Sequence, residues 1–157
     1  MVKILYDYDA PLKDIDLMLE EKFPLTEFET PNNWVRDKSY FGALKLRGPE
    51  GNIDIWCLPR ISYLKNSNLG CSINSFLQTV PLNVQALSYD LTDKVIFGSD
   101  ALKSLQQKAV RIQDYSRALD DATRHNLTLN EFIGKKALQY NFKPIFYDFH
   151  NASVLKK

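Results

Sequence analysis

The apolar and polar positions along the chain alternate between two periods, and these predict its elements. Residues 2–8 are rich in Val, Ile, Leu and Tyr and predict a short strand. Behind Pro11, residues Leu12, Ile15, Leu19 and Phe23 recur at spacings of three and four, which predicts a helix to about Lys22 before Pro24 stops it. Residues 39–58 form two apolar runs flanking Gly48, Pro49, Glu50, Gly51 and Asn52, the pattern of a β-hairpin. In its second arm Ile53, Ile55 and Cys57 share one face, while Asp54, Trp56 and Leu58 share the other. Asn66, Ser67, Asn68 and Gly70 mark a loop, and Ile73 to Leu77 form one helical turn or more. A second hairpin brackets Thr92 and Asp93, and Ser99 is placed to cap a helix through about Gln107. A longer helix is expected from Val110 to His125, with Ile112, Tyr115 and Leu119 on one face. Thr128 and Glu131 have capping-box spacing and open a last helix to about Tyr140. The tail from Lys143 carries Ile145, Phe146, Tyr147 and Phe149, apolar enough to pack or to mediate self-association.

Candidate chemistry lies in the aspartates. On a strand, Asp7 and Asp9 project from the same face, and a neighbouring strand can bring Asp54 beside them. Converging carboxylates suit a hard divalent cation such as magnesium, although a D-x-D on a strand edge is also ordinary solvated surface. A second D-x-D, Asp14 and Asp16, falls in the predicted helix. There, residues two apart point about 200° apart, so these two read as solvated helix-surface charges that do not share a metal. A carboxylate on an apolar strand needs a partner, a metal or an exposed face; Asp54 is therefore expected to have one of them, an edge strand facing water being the plainest case.

Composition narrows the class. A chain of 157 residues, 45% hydrophobic and 25% charged, reads as one globular domain, 1–157, with a sheet-containing core over 1–100 and a mainly helical extension over 101–157. A net charge of only +1 gives no general footprint for nucleic acid, leaving Lys103, Lys108 and Arg111 as a local basic patch. Cys57 and Cys71 lack metal-site spacing, no apolar leader opens the chain and no run is long enough to span a membrane. A reduced, cytoplasmic protein is the expectation. His125 and His150 are spaced from the carboxylates and read as structural or surface residues. Ser72, Ser75 and Cys57 have no nucleophile-elbow context.

Taken together, a D-x-D strand, a helix, a hairpin with a third aspartate in its second arm and a helical remainder resemble the nucleotidyltransferase fold. The closer resemblance is to the head domain of tRNA-nucleotidyltransferase and poly(A) polymerase-like proteins, with Asp7, Asp9 and Asp54 in the places of the metal-binding carboxylates. The stretch PLNVQALSYDLTDKVIFGSDALKSLQQKAVRI resembles that family's Asn-Ala strand, acidic hairpin, short G-x-x-x-L helix and terminal Arg, placing Asn83, Gly98, Leu102 and Arg111. The resemblance covers about residues 2–112. It implies an α+β fold with a mixed or antiparallel sheet, and magnesium-dependent transfer of a nucleotidyl group from a nucleoside triphosphate to an acceptor it does not name. It also implies that Asp7, Asp9 and Asp54 hold metal and catalyse, and that Asn83 and Arg111 contact nucleotide. Two phosphate grips of the family are not found: residues 1–6 leave no room for a glycine-rich turn ahead of Asp7, and Leu77, Gln78 and Thr79 stand where it has Arg-Arg-Asp. A non-catalytic member of the fold that binds a nucleotide or partner is the alternative.

Overall fold

A computed structural model of the chain describes residues 14–39, 42–66 and 68–146. The predicted strand over 2–8, with Asp7 and Asp9, and the end of the tail, with His150, lie outside the described residues. These fall into two compact units, one ending at Phe76 and the other beginning at Leu77.

Among the described residues, the first unit is built on a four-stranded sheet. Its strands are β1 (Asp14–Leu19), β2 (Val35–Lys38), β3 (Leu44–Gly48) and β4 (Gly51–Cys57), in the order β1-β4-β3-β2. β2, β3 and β4 form an antiparallel meander, and β1 lies parallel to β4. The expected hairpin is present, with Gly48 opposite Gly51 across the Pro49–Glu50 turn. The expected helix behind Pro11 is not; from Asp14 the chain runs as β1. Ile15 and Leu19 satisfy a spacing of four and equally two spacings of two, and Leu17 between them completes a strand alternation. Leu17 and Leu19 pack with Ile53, Phe28 and Trp34 around buried Leu25, Leu44, Leu46, Ile55 and Cys57. That burial, with β4 hydrogen-bonded alongside, outweighs the local helical preference of LMLEEK.

Two side chains tie the β1–β2 connection to the sheet. The Arg36 guanidinium of β2 donates to the carbonyls of Leu25, Thr26 and Phe28, which satisfies backbone acceptors on that connection. Gly48 lets the Trp34 ring lie flat on β3, since a Cβ there would stand 2.2 Å from the indole. Beyond β4, a 3-10 turn (Leu58–Arg60), α1 (Ser62–Asn66) and α2 (Ile73–Gln78) carry the layer against which Met18 and Trp56 pack.

The second unit holds the second expected hairpin, β5 (Ser88–Tyr89) with β6 (Ile96–Phe97), whose turn is closed by Asp90 accepting from the Thr92 and Asp93 amides. α3 (Ser99–Gln106) follows, capped by Gly98 at φ +102° in place of the expected Ser99. The single helix expected over 110–125 is divided. Val110 belongs to β7 (Ala109–Val110), paired in parallel with β8 (Lys143–Pro144), and α4 (Tyr115–Arg124) starts behind Asp114, whose side chain caps it. Its buried face is Ala118 and Ala122, while Tyr115 and Leu119 face solvent, the reverse of the expected apolar stripe. α5 (Leu129–Tyr140) forms as expected and buries Leu129, Phe132, Ile133 and Ala137.

Thr128 and Glu131 make the reciprocal capping box of α5. Both hydrogen bonds from Thr128 hold the Glu131 carboxyl below its ordinary 4.5. A lowered carboxylate contributes stability above its unfolded value, and that contribution is lost as pH falls through the folded one. Thr128→Ala is expected to cost about 1 kcal/mol, read as a lower midpoint of thermal unfolding, with a pH dependence near 4 flatter than that of the parent.

Candidate carboxylate site

The strand identity of β1 changes which aspartates meet. Register sets Asp14 opposite Asn52, Asp16 opposite Asp54 and Met18 opposite Trp56, all on the face turned away from the Leu44–Ile55 core. β3 adds Lys45 opposite Asp54 and Arg47 opposite Asn52. Asp14 and Asp16, read from sequence as helix-surface charges pointing apart, thus stand on one face of a strand beside the third aspartate. Asp7 and Asp9, the expected partners of Asp54, lie outside the described residues.

Each carboxylate has its own environment. The Asp14 carboxylate accepts from Asn52 Nδ2 at 2.8 Å, and Asp16 Oδ1 accepts from Trp56 Nε1 at 3.2 Å. Asp54 Oδ2 pairs with Lys45 Nζ at 3.0 Å, while its Oδ1 is buried and takes no hydrogen bond from the described residues. β4 is an interior strand, so the plain reading of Asp54 as a solvated edge residue does not hold. Met18 and Trp56 continue this face into an apolar layer with Leu58, Ile61, Leu64 and Phe76. Loss of water around Asp16 accordingly raises its pKa above the ordinary 3.8; Trp56 opposes this by hydrogen bonding, and the neighbouring Asp54 and Asp14 charges add to the rise.

A raised carboxyl favours the folded state in its protonated form, so the contribution is present in full below 3.8 and is lost as pH rises through the folded value. At neutral pH ionised Asp16 is a net cost. Asp16→Asn, which keeps an acceptor for Trp56, is expected to raise the thermal midpoint at pH 7 by a few degrees and to give no gain below about pH 3.8, as followed by circular dichroism.

Among the described residues, no three His, Cys, Asp or Glu side chains are grouped closely enough to hold a metal by themselves. The donor set nonetheless suits magnesium, which is held by one or two carboxylates together with substrate phosphates. Asp16 and Asp54 supply such a pair, and the orphaned Asp54 Oδ1 is an acceptor without a donor. Sequence reasoning missed Asp14, Asp16 and Lys45. The signals were the Ile15, Leu17, Leu19 alternation and the two-residue hairpin loop, whose count places Lys45 opposite Asp54.

In the second unit Asn83 and Arg111 are brought together, through backbone. Asn83 is 2% exposed; its Nδ2 donates to the Ala109 carbonyl at 3.1 Å and its Oδ1 accepts from the Arg111 amide at 2.8 Å. The Asn83 amide nitrogen in turn donates to the Arg111 carbonyl at 3.1 Å. Asn83 is therefore a strut that holds β7, and the exposed Arg111 side chain is carried beyond it. Lys103 of the expected basic patch pairs with Asp100 on its own helix at 3.3 Å. His125 is exposed at the C-terminal end of α4, and Ser72 and Ser75 hydrogen-bond each other at the start of α2.

A mixed sheet followed by a mainly helical part makes this an α+β protein. Its fold is similar to that of a solved tRNA-processing enzyme in its apo form, at a TM-score of 0.59 and 15% identity, over 92% of this chain and 37% of that one. A structure of a tRNA-processing enzyme with CTP is similar at a TM-score of 0.49 and 14% identity, over 71% of this chain and 29% of that one. This chain thus spans well under half the length of either. No family profile and no curated protein sequence matches it. Among the described residues no helix is long and apolar enough to cross a membrane.

Proposed function

We propose that the chain is the head portion of a magnesium-dependent nucleotidyltransferase, with Asp16 and Asp54 as its metal-binding carboxylates and Asp14 beside them. The observation that carries this reading is the register of β1 on β4, which sets Asp16 against Asp54 at the rim of an apolar layer and leaves one Asp54 oxygen unsatisfied. Bound there, magnesium would supply charge neutralisation on a triphosphate. The residues do the rest: Asp16 is oriented by Trp56, Asp14 by Asn52, and the apolar layer excludes water. In the transfer an acceptor oxygen bonds to the α-phosphorus as the bond to the β-phosphate oxygen breaks. Pyrophosphate leaves with the electron pair, and the acceptor proton passes to a carboxylate. The similar solved enzyme acts in tRNA processing, which makes an RNA end the first acceptor to try. A cytoplasmic setting suits the two free cysteines, Cys57 and Cys71.

The test is incorporation of each radiolabelled nucleoside triphosphate into tRNA and into small acceptors, with magnesium, by the chain and by Asp16→Ala and Asp54→Asn. Magnesium-dependent transfer reduced at least about a hundredfold in both variants is expected. Transfer that survives in either variant sinks the assignment. A second reading, a non-catalytic nucleotide- or partner-binding member of the fold, draws on Lys45, which already neutralises Asp54, and on the uncharged Leu77–Gln78–Thr79 segment. It predicts triphosphate binding without turnover, unaffected by magnesium.

A further inference from the structure

We propose that Lys45 is a resident counter-ion that competes with a divalent cation for Asp54, so that the Asp16–Asp54 pair takes up metal only as the lysine is drawn away. The inference deepens the metal-binding reading above and rests on it. Antiparallel register of β3 on β4 sets Lys45 directly across from Asp54, and the ammonium lies 3.0 Å from Oδ2. Their side chains are 25% and 18% exposed, so the pair is shielded from the salt and water that weaken an open surface bridge. On the other flank of β4 stands Asp16, and Asp54 Oδ1 has no donor among the described residues.

On this face Asp16 and Asp54 adjoin, with Asp14 further along β1, and the Lys45 ammonium partly cancels the charge of Asp54. A dication entering beside that ammonium meets a like charge at contact range and finds one of its ligand oxygens already engaged. Lysine is suited to yield, since its charge is compact and rides on a four-carbon stem that rotates freely. Swung off Asp54, the ammonium becomes available to an anionic oxygen of whatever ligand arrives with the metal. Lys45 is thus a positioning and gating residue, acting on metal uptake through Asp54.

The experiment is a titration of the full chain with Mn2+ alone, following free Mn2+ by electron paramagnetic resonance, on the parent protein and on Lys45→Met, Lys45→Arg and the double variant Lys45→Met with Asp54→Asn. Lys45→Gln is carried alongside as a polar replacement in case the methionine variant does not fold. Removing the lysine charge is expected to tighten Mn2+ binding by about tenfold or more, the scale of a relieved like-charge contact. Lys45→Arg should bind as the parent does, and Asp54→Asn should erase the gain. Mn2+ should also raise the unfolding temperature of Lys45→Met by more than that of the parent. Equal or weaker binding by both uncharged variants, with the parent binding, overturns the role of Lys45 and leaves the metal site standing. No binding by any variant overturns the metal site and the gate together.

Discussion

Gly98→Ala is expected to destabilise the second unit by about 3 kcal/mol or more, at the upper end for a single substitution away from the core. Gly98 sits at φ +102°, where side chains of L-residues are strained, and an added Cβ would lie 2.0 Å from the Ala86 carbonyl oxygen and 3.2 Å from Leu87 Cα. Those neighbours are backbone, so no rotamer change makes room, and relief requires parting the β5–β6 pair at Ser88 and Phe97. Thermal and urea unfolding would check this, with Gly48→Ala for comparison. At Gly48 the added atom meets a side chain, Trp34, which has torsions with which to move away, so the cost there is expected to be smaller. A Gly98→Ala midpoint equal to that of the parent would show that the close approach to Ala86 is wrong.

The second large effect is expected at Asn83. Truncation to alanine removes two hydrogen bonds in a site 2% exposed and leaves the Ala109 carbonyl and the Arg111 amide without partners. Each orphaned buried group costs about 1–3 kcal/mol, so Asn83→Ala, which orphans two, should lose roughly 2–6 kcal/mol. Hydrogen exchange gives the more specific reading: the Arg111 amide should lose its protection first, ahead of the amides of α5. A stable Asn83→Ala with weakened triphosphate binding would instead show a side chain that faces ligand.

Both positions were visible in the sequence as members of a family-like pattern, while their physical duties were not. Gly98 stands out as a glycine before a helix, yet only tertiary structure shows that Ala86 lies against it. The resemblance makes Asn83 a nucleotide contact, and in the structure its side-chain amide joins a 3-10 turn (Asn83–Gln85) to β7. The hairpins and the capping box of α5 were legible because their signals are local: turn residues between alternating runs, and a threonine three residues ahead of a glutamate. β1 was not, since Ile15 and Leu19 serve either period and its partner strand comes 38 residues later in the chain, as between Asp14 and Asn52. That one misassigned element hid the register that sets Asp16 beside Asp54. α4 misled in a different way, because its contact surface is two alanines and its large apolar residues face water.

The parallel docking of β1 has a kinetic side. β2, β3 and β4 are joined by short turns and pair with near neighbours, so that meander gains its contacts early for little loop entropy. β1 must close a loop through the Leu25–Glu27 turn and reach the far side of β4 before Asp16 meets Asp54. The acidic face is then expected to assemble after the meander. Amide protons of β1 should exchange ahead of those of β3 at equilibrium, making the carboxylate pair a structure that the folded meander gains and loses as a unit.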